Sequence, residues 1–146
     1  MRQILNTGDG GYEVLEVQET ADPRPKNDEL LIAVKAAGIN FADILARKGT
    51  YPDAPPKPCV MGYEVAGTVE EVGSGVPAEW KGKPVLAMTR FKGQSEKVVV
   101  KEFQVFEKPE SLTFEQAAAL PVNYLTAWVL IKIMGIATLF RIDFNP

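Results

Sequence analysis

Histidine is absent from the 146-residue chain, and cysteine occurs once, as Cys59. Without imidazole there is no Ser-His-Asp or Cys-His nucleophile pair and no histidine metal ligand. A single thiol cannot form an internal disulfide or a thiolate zinc cluster, so nothing points to an oxidising compartment or to bound zinc. Excess charge is also lacking. The 19 acidic and 16 basic residues leave a net charge of -3, which gives no field for gripping nucleic acid or an anionic membrane. The opening Met1-Arg2-Gln3-Ile4-Leu5-Asn6 holds no apolar stretch of signal-peptide length, so a cytoplasmic chain is expected. The nearest approach to a membrane span is the 16 uncharged residues between Glu115 and Lys132, followed by the largely apolar 133–140. A spanning helix needs roughly 20 apolar residues. Pro121, Asn123 and Lys132 interrupt this run, so a buried or half-buried helix is expected in place of a span.

What is present suits one folded core: 46% of the residues are hydrophobic. Residues 12–17, 30–36, 65–73, 84–88, 96–100 and 103–107 carry strand-like apolar content or alternation. A polar, proline-bearing loop separates the first two at 22–28, and Gly73-Ser74-Gly75 closes the third. Short strands with glycine turns predict a barrel or sandwich. Helices are expected at 41–47, capped by Asn40 and stopped by Gly49, and from Thr113 with Gln116 at capping-box spacing. Pro121 is expected to interrupt, with a further helix from about Asn123 to Met134.

Three stretches, Gly-Ile-Asn-Phe-Ala-Asp at 38–43, Gly-Tyr-Glu-Val-Ala-Gly at 62–67 with Val-Gly-Ser-Gly-Val at 72–76, and Ala-Ala-Ala-Leu-Pro-Val-Asn-Tyr-Leu-Thr-Ala-Trp at 117–128, occur in that order. Together they resemble the N-terminal GroES-like domain of the medium-chain dehydrogenase/reductase superfamily, within it the zinc-free quinone oxidoreductase group. Asn-Phe-Ala-Asp-Ile-Leu-Ala-Arg and Val-Asn-Tyr-Leu-Thr-Ala are particularly similar to the branch of vesicle amine transport protein homologues. The resemblance covers residues 1 to about 135. It implies a mainly β fold with a few helices: a GroES-like, partly open β-barrel with a C-terminal helical segment and no Rossmann domain. It divides the chain into a substrate-side domain, 1–122, and a truncated start of the cofactor domain, 123–146.

The same resemblance implies reduction of a quinone or enone with hydride from NADPH. Zinc-dependent members carry Cys where Asn40 stands and His where Tyr63 stands, so no metal is expected. Asn40 and Tyr51 are the implied catalytic donors to the substrate oxygen. Asp43 and Tyr63 are implied at the substrate, and Asn123 and Thr126 near the nicotinamide. Leu45 departs from members with a tyrosine there. Plainer roles stand beside these. Asn40 suits a helix cap, Asp43 a first-turn dipole partner and Tyr51 a loop aromatic. Glu64 suits a buried partner for Arg47 or Lys48, Thr126 a bond to the preceding turn, and Cys59 packing.

No glycine-rich dinucleotide fingerprint follows a strand, and the tail 135–146 departs from the family where the first nucleotide-binding strand is due. A chain cut short and inactive alone is therefore expected. Its helix, with Leu125, Trp128, Val129, Ile131, Ile133, Met134, Leu139 and Phe140, would expose a large apolar patch and favour self-association through 123–140. The rival expectation is a non-catalytic GroES-like interaction module using that same stretch.

Overall fold

The computed structural model describes residues 1–134, which form two open antiparallel sheets with short helices. β1 (Arg2–Asn6) pairs with β2 (Leu15–Glu19) on one edge and with β4 (Cys59–Val60) on the other. The larger sheet runs β7 (Lys97–Lys101), β3 (Glu29–Ala37), β5 (Glu64–Val72), β6 (Pro84–Met88) and β8 (Val105–Glu107) in spatial order. A bridge between Gln3 and Ser95 joins the two sheets without closing them into a barrel.

Alternation along these strands sends Leu30, Ile32, Val65, Val69, Val85, Ala87, Val98 and Val100 to one apolar core. Gly67 sits where a Cβ would lie 2.1 Å from the Ala33 carbonyl oxygen, so only glycine lets β3 and β5 approach there. Helix α1 spans Phe41–Arg47 and α2 spans Phe114–Ala118. The small side chains of Ala117 and Ala118 seat α2 closely against Ala66 and Leu86 of the large sheet. The expected capping box at its start is formed: Gln116 N donates to Thr113 Oγ1 at 3.2 Å and Thr113 N donates to Gln116 Oε1 at 2.9 Å.

Three local expectations are corrected. Residues 12–14 form a 3-10 turn, Tyr12–Val14, before β2, and Glu102–Gln104 is a second such turn before β8. Pro121 does not interrupt a helix. It begins one, α3 (Pro121–Trp128), because a first-turn proline lacks only an N–H that would have no intrahelical partner. The chain continues as a π-helical segment, Val129–Ile133. Among the described residues no helix is long and apolar enough to cross a membrane. Leu139, Phe140 and the departing tail 135–146 lie outside the described residues.

Candidate functional site

Asn40 holds extended backbone just before α1, and Asp43 one turn later reaches back to it. Asp43 Oδ2 accepts from Asn40 N at 2.8 Å, while Oδ1 accepts from Gly62 N at 2.9 Å. The carboxyl is 4% exposed. Burial raises its pKa above the ordinary carboxylate value, against the opposing pull of the two backbone N–H groups. Both oxygens are thus committed to holding α1 against the turn that carries Tyr63. That turn needs glycine: Gly62 has φ +106°, and a Cβ there would lie 2.6 Å from Gln94 N. Thr89 completes the brace, donating from Oγ1 to Gly62 O at 2.7 Å and from N to Tyr63 O at 2.8 Å.

Tyr63 stands at the centre of an aromatic wall. Its ring meets Tyr51 edge-on with centroids 6.3 Å apart and Phe91 at 5.4 Å, over Ala46, Cys59 and Met61. The Tyr63 hydroxyl is buried and has no hydrogen-bond partner among the described residues. Burial, then the neighbouring Tyr51 and Asp43, push its pKa well above the usual phenol value, so it stays a protonated donor. Cys59 has its thiol pKa raised by burial, and its Sγ lies 3.7 Å from Met61 Sδ, which suits packing.

Glu64 behaves differently from either sequence alternative. Its partner is neither Arg47 nor Lys48. Arg47 donates to Gly10 O at 3.0 Å and lies 4.6 Å above the Tyr12 ring. The Glu64 carboxylate, 1% exposed, accepts instead from Asn40 Nδ2 at 3.0 Å and from Val122 N at 2.9 Å. Sequence reasoning missed this hub because its partners are 24 and 58 positions away. Gly38 makes room for it, since a Cβ there would come within 2.3 Å of Glu64 Oε1.

The structure therefore brings Asn40, Asp43, Tyr51 and Tyr63 into one contiguous group. Asn123 and Thr126 are exposed on α3, beside Val122, whose N–H donates to Glu64. Asn123 Nδ2 donates back to Ala119 O at 3.3 Å, and Thr126 lines a small hollow with Met88, Val122 and Leu125. A larger apolar hollow of 720 Å³, lined by Ile4, Leu15, Val17, Ile39, Asp43 and Ile44 among others, includes neither Tyr51 nor Tyr63. Among the described residues no group of three His, Cys, Asp or Glu side chains is placed to hold a metal ion. The Asn40 and Tyr63 positions offer an amide and a phenol, a hydrogen-bonding pair.

Residues 26–128 match the family described as the alcohol dehydrogenase GroES-like domain. The chain is 41% identical over 137 residues to the human synaptic vesicle membrane protein VAT-1 homolog, covering 92% of this chain and 35% of that protein. It is 38% identical over 130 residues to the quinone oxidoreductase of Lama guanicoe, covering 88% of this chain and 39% of the relative. Among solved structures, it is similar to Escherichia coli quinone oxidoreductase complexed with NADPH, with a TM-score of 0.85 and 33% identity. That match covers 92% of this chain and 41% of the other. The human VAT-1 homolog-like protein gives a TM-score of 0.88 at 35% identity, covering 92% and 43%. The chain spans about a third of the length of the curated relatives it matches.

Proposed function

Because the chain belongs to the alcohol dehydrogenase GroES-like domain family, we propose that it forms the substrate-side wall of a zinc-independent, NADPH-dependent quinone or enone oxidoreductase. Residues 1–122 make that wall, and the described residues from Asn123 to Met134 begin the cofactor-holding part. The observation that carries this reading is the packing of Tyr51 against Tyr63, whose buried hydroxyl has no partner among the described residues, beside the turn that Asp43 ties to Asn40. Reduction of a quinone or enone builds negative charge on the substrate oxygen. Donors already oriented toward that oxygen lower the barrier, and losing one typically costs about 3 kcal/mol. Asn40 spends one amide hydrogen on Glu64 and keeps a second for the substrate. Tyr51 supplies the other catalytic donor and Tyr63 a binding contact. Asp43 holds the wall in shape.

The described residues do not fit the dinucleotide phosphates. Every strand pairing among them is antiparallel, and no strand, glycine turn and helix form a parallel βαβ unit. The described residues alone therefore hold no hydride donor. Asn123 and Thr126 contribute at most a contact to the nicotinamide end of a cofactor held elsewhere.

A second reading, a non-catalytic interaction module, is favoured by one feature. Around α3 and the π-helical segment, Tyr124, Trp128, Ile131, Ile133 and Met134 are 69, 54, 49, 65 and 65% exposed. Such a patch favours self-association or coverage by a partner. Mixing the chain with NADPH, a simple quinone and a separately expressed nucleotide-binding half of a relative distinguishes the two. Restored turnover that falls about a hundredfold in N40A supports the enzyme wall. Tight NADPH binding by the chain alone, or rates indifferent to N40A and Y51F, overturns it. Self-association without any complementation supports the module.

A further inference from the structure

We infer that Glu64 is a positioning residue that sets the donor direction of Asn40 and couples it to the start of α3, an inference that rests on the substrate-wall reading. Each carboxylate oxygen takes one donor: Oε1 from Asn40 Nδ2 and Oε2 from Val122 N. The side chain is buried, so these bonds replace water and leave little freedom for the group to turn. Its backbone is fixed as well, because Glu64 opens β5 and pairs with Met88 of β6. Gly38 leaves the space the carboxylate needs on the remaining side.

The second anchor gives the arrangement its consequence. Val122 is the second residue of α3, where backbone N–H groups lack intrahelical partners and the helix dipole favours a negative charge. Glu64 therefore holds the helix start and the substrate-facing amide with one rigid group. A displacement of α3 reaches Asn40 through two hydrogen bonds, and a displacement of Asn40 reaches α3 by the same route. Simple neutralisation of a buried charge would not require this coupling. An isosteric glutamine cannot reproduce it, because its single acceptor oxygen meets one donor while its NH2 group faces the other.

The test uses NMR on the isotope-labelled 146-residue chain and needs neither substrate nor cofactor. Through-hydrogen-bond couplings should connect the Glu64 carboxylate carbon with Val122 N and with Asn40 Nδ2. E64Q should abolish one of them and speed Val122 amide exchange about tenfold. N40A should move the Val122 amide resonance in the unsubstituted chain and leave it unmoved when E64Q is already present. Should E64Q not fold, the couplings and the N40A response of the unsubstituted chain decide alone. A Val122 amide indifferent to N40A overturns the inference. So does absence of either coupling in a spectrum that resolves the backbone bonds between β3 and β5. The quinone assay can fail while these signals persist, or succeed without them, so the two readings are separable.

Discussion

The Gly62 amide donates to the Asp43 carboxylate across 2.9 Å, joining a helical first turn to a strand-entry turn 19 positions further along the chain. With the second bond, from Asn40 N, this contact makes the loop before β5 and the helix α1 one piece. Asn40 and Tyr63 flank that joint, so their separation is set by the Asp43 side chain.

Replacing Asp43 by asparagine keeps the shape but leaves one acceptor oxygen for two backbone donors. Chemical denaturation at pH 4 should show a loss of about 2 kcal/mol in D43N. The folded-state pKa of Asp43 is raised, so its stabilisation is greatest below the unfolded value and declines as pH rises through the folded value. The stability gap between the natural chain and D43N should therefore narrow with rising pH over that window. A gap that widens would contradict the burial-dominated account of this carboxyl.

Tyr63 leads to the opposite expectation for stability. Its hydroxyl is buried without a partner among the described residues, so removing it loses no hydrogen bond and relieves an unmet one. Thermal unfolding of Y63F should occur about 3 °C higher, corresponding to roughly 1 kcal/mol. In the complemented assay the same variant should bind quinone more weakly, as a rise in KM. A fall in melting temperature would mean that the hydroxyl already has a partner.

Acid sensitivity is expected at Asp22, which accepts from Lys97 Nζ at 2.7 Å and from the Met1 amine at 3.1 Å. Hydrogen bonding to Lys97 first, then to the terminal amine, lowers its folded pKa. A lowered carboxyl contributes stability above its unfolded value that is lost as pH falls through the folded value. The D22N variant should consequently lose less stability than the natural chain between pH 5 and about pH 2, measured by denaturant midpoints. Identical acid profiles would show that this exposed pair carries no measurable weight.

Exposed Trp128 and Ile131 lie three positions apart on α3 and its π-helical extension. Sedimentation of the chain at increasing concentration should reveal association that W128E and I131E reduce at least tenfold. Charge placed in an apolar contact is costly to desolvate, which sets the direction of the effect. A natural chain that stays monomeric at high concentration would remove this surface from consideration as a self-contact.

Much of the local structure was legible without coordinates. The strand at 84–88 and helix 41–47 follow from apolar spacing, a cap and a stop, and the Thr113–Gln116 capping box formed as its three-residue spacing dictates. The residue-12 segment and Pro121 differ from the sequence expectation for local reasons: a 3-10 turn shares the apolar content of a strand, and a proline can start a helix as readily as break one.

The sequence by itself determined the absence of histidine and of a second cysteine, the alternating core strands, and the residue types available as donors. Tertiary structure alone decided that Asn40, Glu64 and Val122 share one carboxylate, and that Tyr51, Tyr63 and Phe91 share one wall. Capping and periodicity act within a few residues and so leave a trace in short stretches of chain. Pairings across 24 or 58 positions depend on strand register, on the two irregularities between β3 and β5, and on where a helix comes to rest. Those quantities are set by the packed sheet as a whole, which no local stretch encodes.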